Sequence, residues 1–135
     1  MEYKNIIIDT SVWVAYLSGA DSSHQRALAF SDLYIQEQTI PDIVFYETMT
    51  VLKNKLGKTS LVENFTNYAI QEPHITIRLF YEYNREVLKL FNSPMGEGLS
   101  YVDTLLLYLS RDYHILTFDD ELKKRIKKFG GLLVK

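Results

Sequence analysis

Three consecutive isoleucines, Ile6-Ile7-Ile8, run directly into Asp9-Thr10-Ser11. An unbroken β-branched run suits a strand buried on both faces, the situation of a central strand in a parallel sheet. Thr10 and Ser11 are helix-capping residue types, and the apolar stretch Val12-Trp13-Val14-Ala15-Tyr16-Leu17 follows them. A carboxylate therefore stands where a strand ends and a helix begins. In open α/β sheets, ligands bind along that edge.

The rest of the chain alternates in the same way. The spacing predicts a helix from Ser11 to Ser18 stopped by Gly19, a second helix over His24 to Phe30 capped by Asp21-Ser22-Ser23, and a strand at Leu33-Tyr34-Ile35. Thr39-Ile40-Pro41-Asp42 announces a longer helix reaching Leu56 and ended by Gly57, because proline is favoured in a first turn. A helix from Thr59-Ser60 to Gln71, a strand at His74-Ile75-Thr76-Ile77 and a helix over Tyr81 to Phe91 come next. Asn92 to Gly98 is a loop. Leu99 to Tyr113 is apolar almost all round and is expected to be a buried helix. His114 to Phe118 reads as a strand, Asp119 to Phe129 as a basic helix, and Leu132-Leu133-Val134 as a last short strand. The expected fold is α/β, a mostly parallel twisted sheet of four to five strands with helices on both faces, and residues 1–135 form one domain.

Composition narrows the chemistry. Cysteine is absent, which excludes disulfides, thiolate catalysis and zinc-finger sites. No apolar run approaches the roughly 18 residues of a membrane span, and Met1-Glu2-Tyr3-Lys4 enters the first strand without room for a signal peptide. A cytoplasmic protein without membrane contact is expected. A net charge of −2 supplies no global attraction for nucleic acid, so any such binding must be local or metal-assisted.

Four carboxylates stand in positions of interest. Asp9, taken alone, reads as a plain helix cap. Glu47 stands three residues after Val44 and four before Val51, on the border of an apolar stripe, and could simply reach water there. Asp103 is set among Leu99, Leu106 and Leu107, although Ser100-Tyr101-Val102-Asp103 also fits a capping box. Asp119 follows a strand and reads by itself as an N-cap. Asp9 and Asp119 would share one sheet edge, with Asp103 opening the helix that leads to the second of those strands. Four acids in one cleft repel one another unless a cation sits among them. Oxygen-only ligands favour Mg²⁺ or Mn²⁺, and such an ion can activate water for phosphodiester hydrolysis.

In this order and context, Asp9-Thr10-Ser11, Glu47, Leu99-Ser100-Tyr101-Val102-Asp103 and Leu116-Thr117-Phe118-Asp119 resemble the PIN domain, and the size of the chain resembles the VapC-like toxins of type II toxin–antitoxin pairs. The resemblance spans essentially the whole chain. It implies a PIN-like fold and a Mg²⁺- or Mn²⁺-dependent endoribonuclease with Asp9, Glu47, Asp103 and Asp119 as metal ligands. It also implies Thr117 as the hydroxyl beside the last acid, orienting a carboxylate or water, and Thr10 and Ser11 as the small polar pair after the first acid. Products with 5′-phosphate and 3′-hydroxyl ends, an RNA substrate, a cognate antitoxin and a homodimer follow as expectations. Two departures touch no ligand: Thr104-Leu105-Leu106-Leu107-Tyr108 is bulkier than the alanines usual after the third acid, and Leu122 stands where an aromatic often follows the fourth.

Other readings compete. A PIN-fold scaffold without catalysis would usually lack one of the acids. A housekeeping RNA-processing nuclease would keep the chemistry without the antitoxin. A receiver-like or phosphatase-like Mg²⁺ protein would place two acids around the first strand, where this chain has one. The histidines His24, His74 and His114 fit no ligand spacing and are read as structural. Lys123-Lys124-Arg125-Ile126-Lys127-Lys128 reads as a solvated helical face. Lys123 and Lys124 are the candidates for phosphate contact, with Lys53 and Lys55 as weaker ones. Trp13, Tyr16 and Leu17 are candidates for a partner groove.

Overall fold

The computed structural model describes residues 3–54, 57 and 59–135. Four strands, β1 (Ile6–Ile8), β2 (Gln38–Pro41), β3 (Ile75–Arg78) and β4 (His114–Leu116), form one sheet in the order β3-β2-β1-β4, with every neighbouring pair parallel. The triple isoleucine is the centre of that sheet, and all three side chains are fully buried. The chain builds outward from β1 through β2 to β3, then returns to place β4 on the opposite side of β1. The order therefore reverses between β1 and β4, which opens a crevice at their carboxyl ends. Register puts Ile8 beside Leu116. One step further along, Asp9 and Thr117 leave the sheet together, with the Asp9 N–H still bonded to the Leu116 carbonyl at 2.9 Å.

Helices α1 (Thr10–Leu17), α2 (His24–Leu28), α3 (Ser31–Tyr34), α4 (Asp42–Asn54), α5 (Thr59–Gln71), α6 (Asn84–Phe91), α7 (Tyr101–Leu109) and α8 (Asp120–Phe129) flank the sheet. Helix α1 contacts α2 and α4, and α4 contacts α5, while α7 bridges α6 and α8. Capping follows the sequence closely. Asp9, Ser100 and Asp119 each accept backbone N–H bonds at the starts of α1, α7 and α8. Gly130 ends α8 in the left-handed region, φ 81°, where a side chain would be strained.

Several boundaries differ from expectation. Leu33 and Tyr34 belong to α3, and the second strand is Gln38–Pro41, where a helix start was expected. Pro41 misleads because β1 pairs with β2 only at Ile6–Gln38. By the end of the strand no ladder remains on that side for its missing N–H to interrupt. The helix expected over His24–Phe30 stops at Leu28, and Tyr81–Tyr83 is a 3₁₀ turn leading into α6. Helix α7 is shorter than Leu99–Tyr113 because Ser100 caps it and Ser110 closes it. Helix α4 is described to Asn54; Lys55 and Leu56 lie outside the described residues, as do Met1 and Glu2. The last strand reduces to one parallel bridge between Ile115 and Leu133.

Trp13 is a core residue and not part of a groove. It is 1% exposed, with the rings of Tyr34, Phe65 and Tyr68 edge-on at 5.4, 5.2 and 6.1 Å. Tyr16, half-buried, stacks on Tyr34 at 3.7 Å. Each histidine ring is tied to a main-chain carbonyl: His24 to Ala15, His74 to Tyr34 and His114 to Lys4. Among the described residues, no helix is long and apolar enough to cross a membrane.

Candidate active site

The sheet edge fixes Asp9 first. As the residue after β1 it is 5% exposed, and its carboxylate accepts three hydrogen bonds. Oδ1 accepts the Thr10 N–H at 2.8 Å; Oδ2 accepts the hydroxyls of Ser11 at 3.2 Å and Thr117 at 2.7 Å. The cap and the candidate ligand are thus the same group. Thr117, 1% exposed, also accepts the Asp119 N–H at 3.1 Å, and Ser11 accepts the Phe118 N–H at 3.1 Å. Two hydroxyls therefore lace the exit of β1 to the exit of β4.

Asp119 holds the start of α8 through one oxygen. Oδ1 accepts both the Glu121 and Leu122 N–H groups, at 2.9 and 3.1 Å, which leaves Oδ2 for the opening in front of it. Asp103 lies in the first turn of α7, where Ser100 Oγ accepts its N–H at 3.1 Å. Glu47 stands half-buried on α4, with Val51 one turn further on at the same opening. The next residue, Thr48, is fully buried, and its hydroxyl meets that of Thr10 at 3.0 Å, seating α4 against α1.

These acids line a single cleft of about 650 Å³. Asp9, Glu47, Asp103 and Asp119 all face it, with Phe118 as an aromatic wall and the Asp21-Ser22-Ser23 turn as a rim. Burial and neighbouring charge act on two of them, Asp9 and Asp103. Burial, followed by the Asp103 and Glu47 charges, raises Asp9 to about 6, against the lowering effect of the Thr117 and Ser11 hydroxyls. Burial also raises Asp103, with Asp119 and Glu47 adding to the rise and hydrogen bonds from Ser100 opposing it. Asp103 thus repels each of the other three.

Among the described residues, no three acidic or imidazole side chains close around one point as a complete ligand shell does. The donor chemistry still suits a hard, hydrated cation. All candidate ligands are carboxylate oxygens, and Mg²⁺ keeps several waters while taking only one or two protein carboxylates. Zinc, which favours thiolate and imidazole, finds neither here.

Sequence reading alone missed several contributors. Thr48 carries a usable signal, since Val44, Thr48 and Leu52 recur every four residues and all three are buried. Asp21, a capping residue by sequence, does bond the Ser23 N–H at 2.8 Å, and it also lines the cleft. Lys124 is exposed, and it is Lys123 that turns toward the strand exit. Lys55 lies outside the described residues.

Comparison with known proteins adds the following. The family model of the PIN domain matches residues 6–128. Among solved structures, the chain is similar to the crystal structure of Mycobacterium tuberculosis VapC20, a Sarcin-Ricin loop cleaving toxin, with a TM-score of 0.77. That match has 16% identity and covers 89% of this chain and 94% of the other, so the likeness is one of fold. No curated protein matches the sequence.

Proposed function

The chain belongs to the PIN domain family, and from this we propose that it is a metal-dependent endoribonuclease of the VapC-like toxin type, restrained by a cognate antitoxin. The observation that carries the reading is the clustering of Asp9, Glu47, Asp103 and Asp119 on one cleft at the β1–β4 switch point. Burial first, then the neighbouring Asp103 and Glu47 charges, raise Asp9, and a cation bound in the cleft would offset that cost.

Asp9, Glu47, Asp103 and Asp119 would hold Mg²⁺ or Mn²⁺. When bound, such an ion supplies positive charge for the phosphoryl oxygens and acidifies a water for attack. The protein's own part is positioning. Thr117 and Ser11 clamp Asp9 Oδ2, so that carboxylate cannot rotate away from the cleft. Thr117 is buried behind Asp9 and is a positioning residue, acting through the carboxylate. Asp119 keeps one oxygen for the helix and one for the cleft. The Asp103 charge acts on Asp9 and is itself acted on by Asp119 and Glu47, so neutralising it touches the whole set. The family supplies the support for the RNA substrate, the antitoxin and a homodimer, and the VapC20 toxin supports the same direction.

The test is cleavage of an end-labelled RNA panel with Mg²⁺, Mn²⁺ or EDTA, comparing antitoxin-free wild type with folded Asp103→Asn. Metal-dependent cutting absent from the variant, leaving 5′-phosphate and 3′-hydroxyl ends, is the expected result. No cutting of any RNA by folded protein with metal would move the chain to the scaffold reading. Sedimentation of the same preparation tests the dimer, and co-purification with the product of an adjacent gene tests the antitoxin.

A further inference from the structure

A second cleft, of opposite charge, lies behind the aromatic wall of the acidic one. Phe118 lines both. The second cleft, about 680 Å³, opens between α2, the Thr117-Phe118 exit of β4, α8 and the C-terminal residues. Arg26, Lys123, Lys127 and Lys135 line it, and no acidic side chain does.

What sets these four cations apart is that they line one cleft together without an acidic side chain among them. Arg78 pairs with Glu82 at 2.6 Å and Arg125 with Glu121 at 3.1 Å, each an acid four residues away in sequence. Among the described residues, none of the cleft cations forms an ion pair. Lys123 and Lys127, four apart on one face of α8, both line the cleft, whereas Arg125 turns to Glu121. The Arg26 guanidinium lies 4.1 Å over the Phe118 ring, against the wall that separates the two clefts. Burial first, then the charge of Arg26, hold Lys123 below the ordinary lysine range; Lys127 adds to this and Asp120 opposes it. Like charges gathered in a cleft that no acidic side chain lines form a ready site for an anion.

We propose that this basic cleft binds the sugar-phosphate backbone of the RNA on one side of the cut, so that the strand passes over Phe118 from the cations to the carboxylates. The proposal rests on the nuclease reading and adds to it the surface that holds the substrate. A polyanion must reach a cleft of acids on a chain whose net charge is −2, so the attraction has to be local. The shared wall at Phe118 places that attraction beside the acids.

The test is binding of a fluorescein-labelled single-stranded RNA to the full chain in EDTA across a salt series, by anisotropy. Wild type is compared with Arg26→Ala/Lys127→Ala and with the charge-matched Lys124→Ala/Lys128→Ala; all four residues are exposed, and thermal denaturation checks folding. The cleft variant should bind about tenfold or more weakly, and its salt slope should be shallower by about 1.4, the contribution of two single-strand phosphate contacts. The control pair should stay near wild type. An unchanged cleft variant, or equal losses in both variants, overturns the proposal. Polyglutamate bound by wild type and lost by the cleft variant, with RNA binding unchanged, reassigns the cleft to an acidic protein segment. Cleavage assays with Mg²⁺ separate the two readings. Wild type that cuts no RNA while its binding depends on the cleft ends the nuclease reading and keeps the cleft. Wild type that cuts RNA beside a cleft variant that binds and cuts equally well ends the cleft proposal alone.

Discussion

Thr117 Oγ1 donates to Asp9 Oδ2 at 2.7 Å from a fully buried position, and the same oxygen accepts the Asp119 N–H. One hydroxyl therefore fixes the first and fourth acids relative to each other. Thr117→Val keeps the shape and removes the bond. The loss should be about 2 kcal/mol of stability at about pH 8, where the acceptor is charged, and smaller near pH 4, where Asp9 is protonated. Without the donor, Asp9 rises further above 6, so the acid limb of the cleavage–pH profile should move upward. Thr117→Ser should restore both readouts. A pH-independent stability loss with an unmoved profile would show that the hydroxyl merely fills space.

Asp9 itself should stabilise the metal-free protein when neutralised. Its folded value of about 6 lies above the ordinary 3.8, so the folded state holds the proton more tightly. That contribution is fully present below about pH 4 and is lost as the pH rises through 6, amounting to about 3 kcal/mol by pH 8. Asp9→Asn removes this dependence. Part of the gain is lost because an amide has only one oxygen for the three donors, so a net rise of about 1–2 kcal/mol at pH 8 is expected, with cleavage abolished. Urea denaturation in EDTA at low and high pH checks it. A variant less stable than wild type at both pH values would contradict the buried-charge account.

Mg²⁺ should reverse that order. A ligand that binds only the folded state raises its stability with concentration. Wild type should gain in melting temperature on Mg²⁺ addition, while Asp9→Asn and Asp103→Asn gain little. Calorimetric scans across a Mg²⁺ series decide it, and equal gains in all three proteins would remove the shared site.

The local sequence revealed the acids that end strands or open helices. Ile6-Ile7-Ile8-Asp9 and Leu116-Thr117-Phe118-Asp119 each carry a hydrophobic run and a cap, so their placement at one edge follows from a parallel sheet. Glu47 differs, because a mid-helix acid reaches the cleft only through the seat of α4 on α1, which includes the Thr10–Thr48 contact. Strand β2 escaped notice because Gln38 and Thr39 are polar, although Gln38 is buried and its amide bonds the Tyr34 carbonyl at 3.2 Å. The basic cleft escaped for a similar reason. Arg26 looks like any exposed helical arginine until the β4 exit brings Phe118 beneath it.

Gly96 should tolerate no side chain. A Cβ there would lie 2.4 Å from the Leu90 carbonyl oxygen and 2.9 Å from Phe91 Cα. Both are backbone atoms of the last turn of α6, which cannot swing aside as a side chain would. Gly96→Ala should cost about 2–3 kcal/mol and loosen the loop leading to Asp103. Denaturation with urea measures the first, and faster amide exchange at Leu99 and Ser100 the second. A cost under about 0.5 kcal/mol, the usual size for a surface change, would mean that α6 yields.

The hydroxyl pair between α1 and α4 makes a sharper test, because its two members should not add. Thr10 and Thr48 are both buried, and their oxygens lie 3.0 Å apart. Thr48 Oγ1 also bonds the Val44 carbonyl at 2.8 Å, so its one proton serves that carbonyl and Thr10 donates across the helices. Thr48→Val then removes the acceptor of the buried Thr10 hydroxyl and should cost about 1–3 kcal/mol. Thr10→Val/Thr48→Val removes both partners and should cost less than the two single changes together, giving a coupling energy of about 1 kcal/mol. Glu47 rides on the same turn, so on the nuclease reading each single change should slow cleavage more than it weakens RNA binding. Additive stability losses would mean that the helices are held by apolar contacts alone, and that the position of Glu47 owes nothing to the hydroxyls.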